Sequence, residues 1–139
     1  MSRHCFTYGS LMCADIMSRV CAVDLRSVPA TLPGFSRHPV RDATYPGIQP
    51  AGNARVDGLL YLDLPESAWP RLDAFEGEMY ARTLVQVELS GGHTAETWAY
   101  VFKPEHRHLL MTGDWDFKAF LRCGKSHFEV CYLGFDRLT

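Results

Sequence analysis

Leu72-Asp73-Ala74-Phe75-Glu76-Gly77-Glu78-Met79-Tyr80-Ala81-Arg82-Thr83-Leu84-Val85 is the stretch in which the chain changes its period. Before Gly77, the apolar residues Ala68, Trp69, Leu72 and Phe75 recur at helical spacing. After it, Thr83, Val85, Val87 and Leu89 alternate with Arg82, Leu84, Gln86 and Glu88, the pattern of a strand with two unlike faces. The helix is predicted over 65–76, with Pro65 in its first turn and Gly77 as its stop. The strand over 80–89 turns at Gly91-Gly92 and returns over 94–102.

Toward the N-terminus, Arg55 to Leu64 reads as a strand, rich in β-forming residues. The stretch from Pro39 to Asn53, rich in Pro, Gly and Asn, reads as an irregular loop. Ser27 to Phe35 reads as a strand, and Pro29 and Pro33 place it at an edge or a bend. The first element, His4 to Tyr8, is a short buried strand that stops at Gly9. Ser10 is then expected to cap a helix from about Leu11 to Ala22, with Leu11, Ile16, Val20 and Val23 among its apolar positions. Toward the C-terminus, Asp114 or Asp116 is expected to cap a last helix containing Phe117, Phe120 and Leu121. The apolar tail, Phe128 to Leu138, carries no assignment. Helices and strands do not alternate as in a doubly wound sheet. The fold class is therefore α+β, with a curved or closed sheet.

A length of 139 residues implies a single domain, 1–139, able to bury about two-thirds of the surface its unfolded chain exposes. A net charge of −2, from 14 basic and 16 acidic residues, argues against nucleic acid as a partner. His106-Arg107-His108 reads as solvated surface. The N-terminal residues contain no apolar run of signal-peptide or membrane-span length, so the protein is expected to be cytoplasmic with no membrane partner. Five cysteines, none in a Cys-x-x-Cys pair, fit that compartment and read as reduced and half-buried. Cys13 and Cys21, like Cys123 and Cys131, stand eight apart, close to two helical turns. No His-Glu-x-x-His or other metal-ligand spacing occurs, and no metal or cofactor is expected.

Two constellations carry chemistry. Glu76 sits four residues after Leu72 and seven after Trp69, where the helix period asks for a core residue. Burial disfavours the charged form of a carboxyl and moves its pKa toward neutrality, the range a general base and acid needs. Asp73, three residues earlier, shares that face and is expected to push one of the two carboxyls higher still. On pattern alone, a buried salt bridge to Arg82 or Arg71, or an exposed place at a frayed helix end, competes with catalysis. The second constellation is Phe6-Thr7-Tyr8-Gly9-Ser10-Leu11-Met12, a strand, a tight turn and a helix start, where unpaired backbone N–H groups suit an anion. It lacks both the Gly-x-Ser-x-Gly elbow and the Lys-Ser/Thr pair of a phosphate loop. Tyr45, Tyr80, Tyr100 and Trp115 read as core or pocket wall.

Together these residues resemble the gamma-glutamylcyclotransferase-like superfamily, nearest its short branch named after plant avirulence-induced genes and the bacterial relatives of that branch. The resemblance is carried by Tyr8-Gly9-Ser10-Leu11, Tyr45-Pro46-Gly47-Ile48 and Val56-x-Gly58-x-x-Tyr61. It continues in Leu72-Asp73-x-Phe75-Glu76-Gly77-x-x-Tyr80-x-Arg82 and Trp115-Asp116-Phe117, and so spans roughly His4 to Leu121. It implies a mixed β-barrel flanked by helices, with a pocket at the barrel mouth. It implies release of 5-oxoproline from a gamma-glutamyl amine or peptide, without metal or cofactor. By the resemblance Glu76 is the catalytic residue, and Tyr8, Gly9, Ser10 and Leu11, with Tyr45 and Tyr80, hold a small-molecule gamma-glutamyl substrate. A related acyl- or amide-transferring enzyme and a non-catalytic binding protein remain the alternatives. Monomer and homodimer are both compatible with the sequence.

Overall fold

The structure, a computed structural model, describes residues 2–125. Five strands close into one mixed barrel: β1 (Cys5–Thr7), β2 (Ser27–Pro39), β3 (Pro46–Tyr61), β4 (Tyr80–Glu88) and β5 (Thr94–Phe102), in the order β1-β3-β2-β4-β5. All neighbours are antiparallel except β1 and β5, whose parallel pairing of Cys5 with Trp98 and Phe6 with Ala99 closes the barrel. Two helices, α1 (Ala14–Cys21) and α2 (Ala68–Glu76), cover its outside, and a short α3 (Phe117–Ala119) follows the last strand.

The pleat sorts side chains into two cores. Phe6, Ala30, Leu32, Ile48, Val56, Leu60, Val87 and Ala99 come from all five strands and from no helix, so they fill the barrel. Cys5, Tyr61 and Tyr100, their immediate neighbours in sequence, point the other way and meet Ile16, Met17 and Val20 of α1 and Trp69 and Leu72 of α2. The α+β class and the closed barrel expected from the sequence are thus observed.

Several boundaries differ from expectation, each for a local reason. The stretch expected to be an irregular loop, 39–53, is mostly β3, which pairs with β2 from Pro39–Pro46 through Phe35–Pro50. This arm of the hairpin is hydrogen-bonded on one side only, where prolines are tolerated. The register slips between Pro33 and Phe35, where Gly34 takes a positive φ of 83°. β2 itself touches β4 through the single pair Thr31–Glu88, an open seam that accommodates Pro29 and Pro33.

Helix α2 begins at Ala68 rather than Pro65. A helix from Pro65 would need an N–H at Pro70 to reach Glu66, and proline has none. The residues from Pro65 instead form a turn, with Ala68 N donating to Pro65 O at 3.0 Å. Ser10 does not cap α1. Ser10–Met12 is a tight 3-10 turn, Cys13 is extended, and α1 starts at Ala14. The Leu11 carbonyl, which a continuous helix would need as an acceptor, is taken by the Tyr61 hydroxyl at 2.8 Å. Val23 lies beyond the helix and is exposed. Of the two candidate caps for the last helix, Asp116 does the capping and accepts from Ala119 N at 3.1 Å. Cys5, Cys13 and Cys21 are buried rather than half-buried. Cys131, and with it the second cysteine spacing, lies outside the described residues, as does the tail 128–138. His106 and Arg107 are half-buried, not solvated, and His106 packs edge-on to Phe102.

Candidate active site

The site lies where the barrel core meets the helix-covered core. Thr7 is the last residue of β1 to pair with β3, and the chain leaves the barrel at Tyr8. Gly9 follows because Pro46 crosses directly over it: a Cβ there would stand 2.7 Å from Pro46 Cδ. The 3-10 turn then folds back, with Met12 N donating to Gly9 O at 2.9 Å and Cys13 N to Ser10 O at 3.1 Å. The amides that start such a turn have no acceptor within it. Beneath this loop α2 ends on Glu76, and Gly77, at φ 82°, stops the helix with its N–H on Asp73 O.

These two features face one cavity of about 70 Å³, several times the ~10–15 Å³ that a single water requires on the same measure. Its walls are Phe6 to Leu11, Tyr45 and Pro46, Phe75 and Glu76, Tyr80 and Tyr100. All the residues named from the sequence, Tyr8, Gly9, Ser10, Leu11, Tyr45, Tyr80 and Glu76, are therefore brought to one place. Among the described residues, Glu76 is the only charged one on those walls.

Glu76 is half-buried, with its carboxyl among aromatic and backbone groups. Burial pushes its pKa from the ordinary 4.5 up to about 8. Among the described residues, neither Arg82 nor Arg71 forms an ion pair with it. Arg82 instead pairs with Asp73 at 3.3 Å and lies over the rings of Trp69 and Trp98, at 4.9 and 5.4 Å from their centroids. The expectation that one of the two carboxyls would push the other higher still is not met at Glu76. Asp73 is neutralised by Arg82 and accepts from the Tyr100 hydroxyl at 2.7 Å, and burial alone accounts for the shift at Glu76.

Three tyrosines around Glu76, Tyr8, Tyr80 and Tyr100, act as hydrogen-bond donors. Tyr8 Oη donates to Tyr100 O at 2.6 Å, and Tyr80 Oη to Pro46 O at 2.7 Å. Burial raises the Tyr8 and Tyr100 hydroxyls well above their ordinary value, with the Glu76 charge adding to both. Burial likewise raises the Cys5 thiol beside the site, which argues against a thiolate nucleophile. Phe75 and Pro46 were not singled out as wall residues by sequence reasoning. Phe75 adjoins Glu76, and its place in the helix stripe suggested core alone. Arg37, which donates to Tyr8 O at 2.8 Å from behind the loop, gave no signal in the sequence.

No group of three or more His, Cys, Asp or Glu residues able to hold a metal occurs among the described residues, and no described helix is long and apolar enough to cross a membrane. The family described as gamma-glutamyl cyclotransferase, AIG2-like, matches residues 5–117. An AIG2-like protein D of Arabidopsis thaliana is 34% identical over 115 residues, covering 81% of this chain and 75% of that relative. A solution structure of an Arabidopsis thaliana protein superposes with a TM-score of 0.70 at 26% identity, over 94% of this chain and 87% of that one. A structure described as a gamma-glutamyl cyclotransferase superposes with a TM-score of 0.66 over 78% of this chain and 76% of its own, and at 18% identity that likeness speaks for the fold.

Proposed function

The chain belongs to the gamma-glutamyl cyclotransferase, AIG2-like family, and from that premise we propose that it releases 5-oxoproline from a gamma-glutamyl amine or peptide, with Glu76 as the proton-transfer residue. The observation that carries the reading is a single carboxyl, its pKa pushed up to about 8, facing the same cavity as the loop Gly9 to Leu11.

The chemistry follows from that pairing. The substrate's α-ammonium must lose a proton before its nitrogen can attack the γ-carbonyl carbon. A carboxyl near 8 comes much closer in proton affinity to an amine than an ordinary carboxylate does, so the proton passes between them at little cost. The new C–N bond closes a five-membered ring and leaves a tetrahedral carbon with a negative oxygen. The carbonyl then re-forms as the old C–N bond breaks and the departing amine takes the proton back from Glu76; the freed carboxylate takes the extra proton from the ring nitrogen and passes it to the amine, which leaves as an ammonium. The attack is intramolecular. Holding the substrate in one folded conformer supplies much of the acceleration, since well-oriented systems reach effective molarities of about 10⁵ M or more. The loop amides are suited to the substrate carboxylate or the developing oxyanion, and one such donor is typically worth about 3 kcal/mol. The aromatic walls reduce the share of bulk water around the reacting atoms, which strengthens these contacts.

The test is 5-oxoproline release from a panel of gamma-glutamyl amines, gamma-glutamyl amino acids and glutathione. Wild type should turn over at least one class, and folded Glu76→Gln, which keeps the shape and removes the base, should turn over none. Wild type inert on the whole panel would overturn the reaction. Full activity in Glu76→Gln would overturn the role of the glutamate.

A further inference from the structure

Arg37 stands behind the substrate loop rather than in the cavity. It lies on β2, opposite Ile48 of β3. Its Nη1 donates to Tyr8 O at 2.8 Å, while Nε and Nη2 make a fork onto the Asp114 carboxylate at 2.8 and 3.1 Å. Its guanidinium carbon lies 5.6 Å from the centroid of the Trp115 ring. That indole donates through Nε1 to Thr44 O at 3.1 Å, next to the cavity residue Tyr45.

We propose that Arg37 is the positioning residue of the substrate loop: by binding the Tyr8 carbonyl it fixes and polarises the Gly9 N–H that meets an anionic part of the substrate. The proposal rests on the reading of this cavity as the gamma-glutamyl site.

Three observations support it. The ladder of β1 ends at the pair Thr7–Leu59, so the Tyr8 carbonyl is the first with no strand partner, and Arg37 supplies one. A planar trans peptide carries its C=O and the next N–H on opposite sides. Pinning Tyr8 O toward Arg37 therefore directs the Gly9 N–H away from it. A cationic donor on the oxygen also draws electron density from that N–H and makes it a stronger donor. Finally, the ion pair with Asp114 does not by itself explain why the Arg37 side chain is largely withdrawn from water. The Arg37 side chain is only 14% exposed whereas that of Asp114 is 67% exposed, and an exposed partner returns little for a charge withdrawn from water. What the buried position achieves is the contact with the loop. The Asp114 fork and the Trp115 ring hold the guanidinium plane so that the third donor meets Tyr8 O. Lysine, with a single point charge, does not reproduce that fork.

The experiment combines kinetics with the backbone resonances of the loop, using Arg37→Met, Arg37→Lys and, as an exposed arginine control, Arg26→Met, whose side chain is 83% exposed. In ¹³C,¹⁵N-labelled protein, Arg37→Met should shift the Tyr8 carbonyl carbon and the Gly9 amide nitrogen while Ala99 in the barrel stays in place. Arg37→Lys should fall between wild type and Met, and Arg26→Met should change nothing. For 5-oxoproline release, a misplaced donor predicts that kcat/KM falls about 10²-fold in Arg37→Met, with the loss partly regained in Arg37→Lys. Unmoved Tyr8 and Gly9 resonances in folded Arg37→Met would overturn the proposal. So would a fall in kcat/KM no larger than that of Arg26→Met. If Arg37→Met does not fold, Arg37→Lys and Asp114→Asn decide by the same two readouts. If wild type releases no 5-oxoproline, the proposed function fails, while the Tyr8 and Gly9 resonances still show whether Arg37 sets the loop.

Discussion

Glu76→Gln makes the sharpest prediction from this structure, because it concerns stability and needs no substrate. A carboxyl that titrates near 4.5 in an unfolded chain and near 8 in the fold binds its proton more tightly when folded. The folded state therefore carries more protons than the unfolded state between those values, and stability falls as pH rises through that window. The glutamate's contribution is fully present below about pH 4.5 and is lost once pH passes about 8. The full gap corresponds to about 4–5 kcal/mol at ~1.4 kcal/mol per tenfold change in proton affinity. Glu76 is half-buried at a cavity wall, and solvent reaching the carboxylate reduces the expected difference to about 2–3 kcal/mol. Glutamine has the same shape and no titration. Its own desolvation shifts the variant's curve by a constant, so the informative quantity is the difference in slope. Urea unfolding from pH 5 to pH 9 should show wild type losing that amount relative to Glu76→Gln. Thermal midpoints should follow, at about 4 °C per kcal/mol for a chain of this size. Parallel curves across the range would refute the burial argument and leave Glu76 an ordinary surface carboxylate.

Three further outcomes are expected. For any substrate that is turned over, kcat/KM should rise with pH along an acid limb near 8, set by Glu76, and fall again where the substrate's ammonium is lost; a limb near 4.5 would contradict the assignment. Arg82→Ala leaves the Asp73 carboxylate without its cation, so the acid limb should move to higher pH and stability should fall by about 1 kcal/mol, as read by pH–rate profiles and urea unfolding. Gly58→Ala puts a Cβ 2.1 Å from the Thr7 carbonyl, at the strand pairing that carries the loop Tyr8 to Leu11. Chemical unfolding should show a loss of about 3 kcal/mol or more, since neither backbone can give way, and a variant as stable as wild type would show the contact to be wrong.

Much of the site was legible in the sequence because its two halves are each local. The helix period placed a glutamate over Leu72 and Trp69, and the turn at Tyr8 to Leu11 followed from a strand running into glycine. The hairpin around Gly91-Gly92 was equally plain, since alternation and turn chemistry are properties of neighbouring residues. The arm from Pro46 to Asn53 was not legible as a strand. Its prolines and glycines argue for a loop until β2 is known to lie along one side. The start of α2 was misplaced because the missing N–H at Pro70 matters only once the acceptor it would have served is counted.

The sequence alone determined which groups stand ready: one carboxyl at a core position, one loop with spare amides, and an α+β chain with the residues to build a curved sheet. Only the tertiary structure decided how they are used. The parallel pairing of β1 with β5 joins segments more than ninety residues apart, and by closing the barrel it sets the loop Tyr8 to Leu11 over the end of α2. The ion pair with Asp73 keeps the Arg82 cation from Glu76, and among the described residues burial is what raises the proton affinity of Glu76. Arg37 reaches the loop from the last residues of β2, beyond the Phe35 at which the sequence reading ends that strand. A residue's period and propensity are local, whereas its dielectric surroundings and partners come from segments distant in the chain, so only the fold decides them.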